Sequence, residues 1–383
     1  MNAPHRHYHR IAWAAVLLAL CVIVFGGFVR LSNAGLSCPD WPTCYGQATW
    51  PVAEHEVEAA NASFERAVET HKAWREQVHR HIAGLLGLSV LSLALLAARR
   101  RPFGIASVLA AAVLVALSIP AYMGVPGVFE ADHAVSLGLF LAAELLLLVQ
   151  ALRWSNADAS RLATVLFMVI IFQAVLGMWT VIWLVKPVIV MAHLLGGLLT
   201  LSLLVWLAWG TTPGSALVLA EADRLRRLLW IGLGLLVVQI ALGGWTSANY
   251  AALACGTDFP TCLGQWWPQQ DYREAFVLWR GIGVDYEGGV LDGPARVAIQ
   301  MTHRLFALLV VGYLGVLAVR LIRTPGMVYW GVVLALLLVA QVSLGISNIV
   351  TGLPLWVAVA HNAGAALLLF TVVGLLARLR APA

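Results

Sequence analysis

The sequence predicts an all-α polytopic membrane protein: two pseudo-symmetric four-helix bundles plus one extra helical hairpin, about ten transmembrane helices in all. Three observations carry that expectation. First, 61% of the 383 residues are hydrophobic and only 11% are charged. Soluble domains carry about 25% charged residues, so a water-soluble enzyme is excluded, and so is a disordered chain. Second, ten apolar runs are each long enough to cross a bilayer. Third, two stretches of the chain repeat each other in motif and spacing.

The apolar runs lie at 11–29, 79–98, 103–123, 133–152, 162–185, 188–210, 228–247, 298–320, 327–350 and 355–377. A helix is the open-chain element that satisfies its own backbone in lipid, so each run is read as a spanning helix. With the N-terminus inside, the short inner segments collect fourteen arginines (Arg6, Arg10, Arg99, Arg100, Arg101, Arg153, Arg161, Arg224, Arg226, Arg227, Arg320, Arg323, Arg378 and Arg380). The other ten basic residues lie mainly in two long outer segments rich in Asp and Glu. That asymmetry predicts both termini on the cytoplasmic side, in a bacterial inner membrane. The first run continues through Cys21-Val-Ile-Val-Phe with no A-x-A-like exit, so it is read as a retained span and not as a cleaved signal peptide. The net charge of +5 is thereby assigned to orientation, and no nucleic-acid partner is expected.

The repeat begins at Gly26-Gly27 and again at Gly243-Gly244. Ten residues separate Gly27 from Cys38, and ten separate Gly244 from Cys255. Both outer segments then close on Asp-aromatic-Pro-Thr-Cys-x-Gly-Gln, ending at Gln47 and Gln265. Glu76-Gln-Val-His79-Arg80 aligns with Gln300-Met-Thr-His303-Arg304. Gln173-Ala-Val-Leu-Gly177 precedes His193 by the same fifteen residues that separate Gln341-Val-Ser-Leu-Gly345 from His361. An even number of spans lies between the copies, so they share one orientation. His303 and His361 are 58 positions apart and His79 and His193 are 114 apart. The excess matches one additional hairpin. The predicted units are therefore residues 1–220, with the extra hairpin at about 100–155, and residues 221–383.

An ionisable side chain within a membrane is by default a functional candidate. His193, His303 and His361 each fall about five residues into a run descending from the outer face, which is roughly 8 Å of depth. His79 falls at the mouth of its own run. Two histidines per unit, on different helices at similar depth, suit a planar macrocycle held through both axial positions of its iron. An interhelical hydrogen bond would explain any one of them alone, but not two matching pairs. Zinc is the weaker metal, because no third or fourth ligand stands at short spacing. His133 rivals His193, being 54 residues after His79, but it lacks the Gln-x-x-Leu-Gly upstream. His81 is read as structural, and His5, His7, His9, His55 and His71 as solvated loop residues.

One difference breaks the symmetry. Glu76 lies one turn outward of His79 on the same face, where the second copy has Gln300. A carboxylate there could act as general base or stabilise developing positive charge; the alternative is a solvated acid in a loop already rich in glutamates. Glu144, in the fourth run, is read as paired with a polar partner or as a proton site. Four of the five cysteines, Cys38 with Cys44 and Cys255 with Cys262, lie in the oxidising outer loops and read as structural disulfides, with redox traffic as the alternative. Cys21 reads as a packing residue within the first span.

These motifs together resemble the heme A synthases: Arg30-Leu-Ser-Asn-Ala-Gly-Leu-Ser-Cys38-Pro-Asp-Trp-Pro-Thr-Cys44, Glu76-x-x-His79-Arg80, the Gln-x-x-Leu-Gly before His193, and Gln300-x-x-His303-Arg304. The resemblance covers nearly the whole chain except about 100–155. It implies an eight-span core of two four-helix halves and an oxidoreductase that converts heme O to heme A, by oxidising a ring methyl to a formyl group, for terminal cytochrome oxidases. It implies further that His303 and His361 ligate a permanent heme b, that His79 and His193 hold the substrate heme, and that Glu76 is the catalytic acid residue. Cys38/Cys44 and Cys255/Cys262 match the cysteine pairs of the family's outer loops. A heme O synthase, an electron donor or acceptor and a further copy of the chain are open as partners. Two other classes remain in view: a di-heme electron carrier, for which Glu76 is unnecessary, and a membrane thiol-disulfide oxidoreductase acting through its cysteine pairs.

Overall fold

Helix dominates because apolar side chains cannot spare any backbone polar group for lipid. The computed structural model describes residues 6–124, 132–155 and 158–382. Among these, ten helices are long and apolar enough to cross a membrane: α1 (Tyr8–Leu31), α3 (Thr70–Ala98), α4 (Gly104–Met123), α5 (His133–Arg153), α6 (Ser160–Ile182), α7 (Pro187–Thr211), α8 (Ala222–Ala248), α10 (Gly293–Arg323), α11 (Val328–Val350) and α12 (Leu355–Arg378). Two short helices, α2 (Glu54–Ser63) and α9 (Tyr272–Ala275), lie in the long segments after α1 and α8. Each apolar run of the sequence has become one of the ten.

Local chemistry sets several of the starts. Asp132 caps α5 by accepting from the N–H groups of Ala134 and Val135, and Asp292 caps α10 through Ala295. Pro187 opens α7, where its missing N–H costs nothing. Three helices begin well before their apolar runs. α3 starts nine residues earlier than its run, through His71, Lys72, Arg75 and Glu76. His79 is consequently the tenth residue of α3 and not at its mouth, much as His303 is the eleventh of α10. His193 and His361 are each the seventh residue of their helices.

The packing follows the repeat. α1 lies against α3 and α7, α3 against α6, and α6 against α7; likewise α8 lies against α10 and α12, and α11 against α10 and α12. The two groups meet where α12 packs on α1 and α7, and α7 on α8. α12 is accordingly the most enclosed of the spans. The hairpin α4–α5 packs mainly on itself, touching the rest through α3 and α6, and its Leu109, Val113, Leu137 and Leu141 face outward. A two-residue parallel pairing of β1 (Leu217–Val218) with β2 (Leu379–Arg380) ties the chain end to the linker between the groups. Arg226 reinforces it by donating to the carbonyls of Leu376 and Leu379.

Several smaller expectations meet corrections here. Cys21 is exposed on α1 and is not a buried packing residue. His81, too, is exposed, on α3. His7 and His9 are partly buried at the start of α1 and not in a solvated loop, whereas His55 and His71 are exposed as expected. His5 lies outside the described residues. The hairpin's Glu144 is half-covered, and its buried Oε1 has no hydrogen-bond partner.

Candidate functional site

Each of the four histidines rests on a glycine of a neighbouring helix. A Cβ at Gly26 would come within 2.7 Å of His79 Cε1, one at Gly177 within 3.1 Å of His193, one at Gly243 within 3.1 Å of His303 and one at Gly345 within 3.0 Å of His361. Only glycine lets the helix backbone approach an imidazole this closely. His79 on α3 and His193 on α7 belong to the first group of packed helices, and His303 on α10 and His361 on α12 to the second. All four rings remain partly uncovered between their helices. Among the described residues no three His, Cys, Asp or Glu side chains gather as a metal cluster would; the imidazoles stand in twos, a donor set that fits the two axial positions of heme iron. His133 sits exposed at the start of α5, with its ring against Tyr122, away from both pairs.

Glutamine stands beside three of the rings. Gln173 Nε2 is 3.0 Å from His193 Nδ1, Gln239 Nε2 is 3.1 Å from His303 Nδ1, and Gln341 Nε2 is 3.4 Å from His361 Nε2. Sequence reading found the first and third and missed Gln239. The signal was present, as Gln239-Ile-Ala-Leu-Gly243 has the same form, but a long outer segment separates it from His303.

Glu76 is buried, with 4% of its surface exposed, which removes the solvated-acid alternative. Its Oε2 accepts from the Cys38 N–H at 2.8 Å and the Ser37 hydroxyl at 3.1 Å, while Oε1 pairs with Arg80 at 2.6 Å. Arg80 also donates to the carbonyls of Cys38, Asp40 and Thr43. The second copy reproduces this frame with a neutral side chain. Gln300 Oε1 accepts from the Cys255 N–H at 2.8 Å, its Nε2 donates to the Ala252 carbonyl, and Arg304 donates to the carbonyls of Asp258 and Thr261. The His-Arg motif therefore has a plain use: the histidine faces the helix gap while the arginine grips the loop above it. Both loops are closed by disulfides, Cys38–Cys44 and Cys255–Cys262, each with Cα atoms 4.6 Å apart.

The second outer segment crosses onto the first unit. Tyr286 N–H donates to the Leu184 carbonyl, and Arg66 bridges Glu287 at 2.6 Å and the Leu36 carbonyl at 2.8 Å. Leu36, Val185 and Tyr286 pack together beneath it. Lys186 is buried there with its Nζ 3.5 Å from the ring centre of Trp279, a cation–π contact; burial holds its ammonium below the usual lysine range. Burial likewise pushes the Tyr45 phenol up to about 12, with Arg66 opposing. Arg66, Tyr286 and Lys186 carry no sequence signal, because only the fold brings them together.

The two histidine pairs are also joined by direct packing. Leu194, next to His193, fits against Gly244, next to Gly243; Asn362, next to His361, fits against Gly27, next to Gly26. A Cβ at either second glycine would come within 2.9 Å of Leu194 Cδ2 or 2.4 Å of Asn362 Nδ2.

Comparison with known proteins shows the family. A family profile of cytochrome oxidase assembly proteins (COX15-CtaA) matches residues 9–129 and 132–373. The match runs through α4 and α5, so the likeness extends over the hairpin that the motifs alone left out. The heme A synthase of Shewanella oneidensis is 38% identical over 360 residues, 94% of this chain and 92% of that protein. That of Paracoccus denitrificans is 28% identical over 94% of this chain and 85% of its own length. That of Methylobacterium radiotolerans is 34% identical over 46% of each chain. The paired histidines, the glycines beneath them and the disulfide-closed loops thus sit in a chain that belongs to the cytochrome oxidase assembly protein family, among the heme A synthases.

Proposed function

We propose that this chain oxidises a ring methyl of heme O to the formyl group of heme A, in a bacterial inner membrane with both termini cytoplasmic. The observation that carries the reading is a repeated pair of facing imidazoles with one unlike neighbour: Glu76 above the first pair, Gln300 above the second. Residues 1–220 form the substrate half and residues 221–383 the resident-cofactor half. His79 and His193 hold the substrate porphyrin from its two faces. His303 and His361 hold heme b, which supplies a one-electron redox centre when bound.

Taking a methyl to a formyl group with water as the oxygen source releases four protons and four electrons (R–CH3 + H2O → R–CHO + 4 H+ + 4 e−), so the substrate half must admit water and pass out protons and electrons. Glu76 is the buried ionisable group one turn above His79, and it is the residue to take up or release protons there. Leu194 against Gly244 and Asn362 against Gly27 place protein matter without a gap between the two pairs, the route by which electrons cross to the second half and on to an external acceptor. The disulfides hold the loops over the histidines. The isoprenoid tail of heme O stays in lipid, and a heme O synthase is the supplier. Extraction of heme from the purified protein, expressed with and without heme O synthesis, tests this. Formylated heme appearing only with heme O synthesis is expected. Heme B alone in both preparations would leave an electron carrier, and no heme would leave a thiol oxidoreductase.

A further inference from the structure

The four histidine–glycine contacts share a form that includes a fifth-position partner. Four residues before Gly177, Gly243 and Gly345 stand Gln173, Gln239 and Gln341, each with its amide beside the imidazole packed on that glycine. Four residues before Gly26 stands Val22. His79 is therefore the one ring of the four with no glutamine at that position; its Nδ1 is buried without a hydrogen-bond partner, as is that of His361, whose glutamine meets Nε2 instead. Its other neighbour is Phe25, whose ring lies 6.5 Å away at 24°, an apolar face that cannot accept from an N–H.

The physical consequence is orientation. An imidazole that ligates iron through Nε2 keeps its proton on Nδ1, and a hydrogen-bond partner at Nδ1 fixes the ring and raises its basicity. Gln173 and Gln239 sit at that nitrogen and also donate to the main-chain carbonyl of the same histidine, at 2.6 and 3.2 Å. Their Oε1 atoms, and that of Gln341, are buried and unpartnered, so a half-turn of the amide, which gives up the bond to the main-chain carbonyl and needs a small shift away from it, presents an acceptor to Nδ1–H. At His361 the amide meets the other ring nitrogen, and a half-turn of the ring brings Nδ1 to it. Val22 can supply nothing of the kind.

We infer that Gln173, Gln239 and Gln341 are positioning residues that lock three imidazoles, and that His79, where Val22 takes the place of the glutamine, is the exchangeable ligand through which the porphyrin substrate is admitted and its product released. This rests on the reading of His79 and His193 as the substrate pair. It gives the two halves opposite duties from one scaffold: two locked ligands hold a permanent heme, and one locked ligand with one free ligand lets a heme turn over.

The test is the rate at which hemin passes from the purified full-length protein to excess apomyoglobin, followed in the Soret band. Wild type should lose hemin in a fast and a slow phase, and His361→Ala should abolish the slow one. Val22→Gln should slow the fast phase ten- to a hundred-fold, the range typical of a partner behind a metal-ligating histidine, and Gln239→Val should speed the slow phase by a similar factor. Gln239→Val carries the test on its own if Val22→Gln does not fold. Hemin bound with both rates unchanged in these variants overturns the inference alone. A protein that binds no hemin overturns the functional reading as well.

Discussion

Glu76→Gln separates chemistry from scaffolding, because the protein already contains the result of that substitution. Gln300 anchors the second loop by accepting from the Cys255 N–H at 2.8 Å, the same distance at which Glu76 accepts from Cys38. An amide at position 76 therefore keeps the loop acceptor. It loses the charge-assisted contact with Arg80, which spans 2.6 Å between side chains only 12% and 6% exposed. Such bonds contribute about 1.5–3 kcal/mol. Arg80 retains three carbonyl partners, so the expected cost lies near the lower end, about 2 kcal/mol. Both variants take the counter-charge from Arg80, but Glu76→Ala goes further: it also strips the acceptor from the Cys38 N–H and leaves the guanidinium no side-chain acceptor at position 76, a loss of about 3–5 kcal/mol. If Glu76 moves protons, Glu76→Gln should bind heme normally and lower formyl production at least ~100-fold, the floor for removing a positioned acid–base group. The assay is heme extraction beside the visible spectrum of the same preparation. Heme A made at the wild-type rate by a folded Glu76→Gln protein would show that the carboxylate only holds the loop.

Other perturbations follow from the same contacts. Gly26→Ala puts a methyl 2.7 Å from His79 Cε1, whereas a Cβ at Gly87 meets nothing within 4 Å; Gly26→Ala should disturb the first-pair heme spectrum and Gly87→Ala should leave it unchanged. Removing the Cys38–Cys44 disulfide, which closes a loop of sequence separation 6, should lower thermal stability by about 2 kcal/mol on loop entropy, measured by heating in detergent with and without reductant. Burial alone would raise Asp158, but the Ser160 hydroxyl and N–H and the Arg101 guanidinium together hold its carboxyl below the usual range. A depressed carboxyl stabilises the fold above its unfolded value of about 3.9, and that contribution disappears as pH falls through the folded value. The melting-temperature advantage of wild type over Asp158→Asn should thus be full at pH 6, begin to decline below about pH 3.9 and be gone once the pH lies under the folded value.

Hydropathy located the ten spans because lipid allows few alternatives, but it lost the first turns of α3, α8 and α10. Those turns carry Lys72, Arg75 and Glu76, then Asp223, Arg224 and Arg226, then Arg296, and polar residues there read as loop although the helix continues out of the membrane. That is why His79 was placed at a helix mouth when it stands in the tenth position. The histidine pairs were legible since a repeat marks spacing without reference to structure. Gln239 escaped for the opposite reason: its partner His303 is close in space and 64 residues away in sequence. The crossing of Tyr286, Glu287 and Trp279 over the first unit belongs to tertiary packing alone, and no local pattern encodes it.

The repeat makes each departure from symmetry informative, since a duplicated scaffold supplies its own control. Besides the added hairpin α4–α5, three departures fall on the first unit: Glu76 for Gln300, Val22 for Gln239, and the outer segment of the second unit that crosses onto it. The first two bear on His79. A carboxylate in place of an amide permits proton transfer, an apolar residue in place of an amide frees a ring, and the segment anchored by Arg66 and Glu287 covers the chain where α6 leads into α7. The second unit keeps the amide at both positions, and its imidazoles are held. Random drift between two structural copies would scatter such differences over helices and loops. On the proposed reading, the two that meet at one of four equivalent histidines divide a turning-over site from a resident one, and restoring symmetry by Val22→Gln and Glu76→Gln together should leave a first unit that holds heme and does nothing to it. Heme A production by that double variant would show that the asymmetry lies elsewhere.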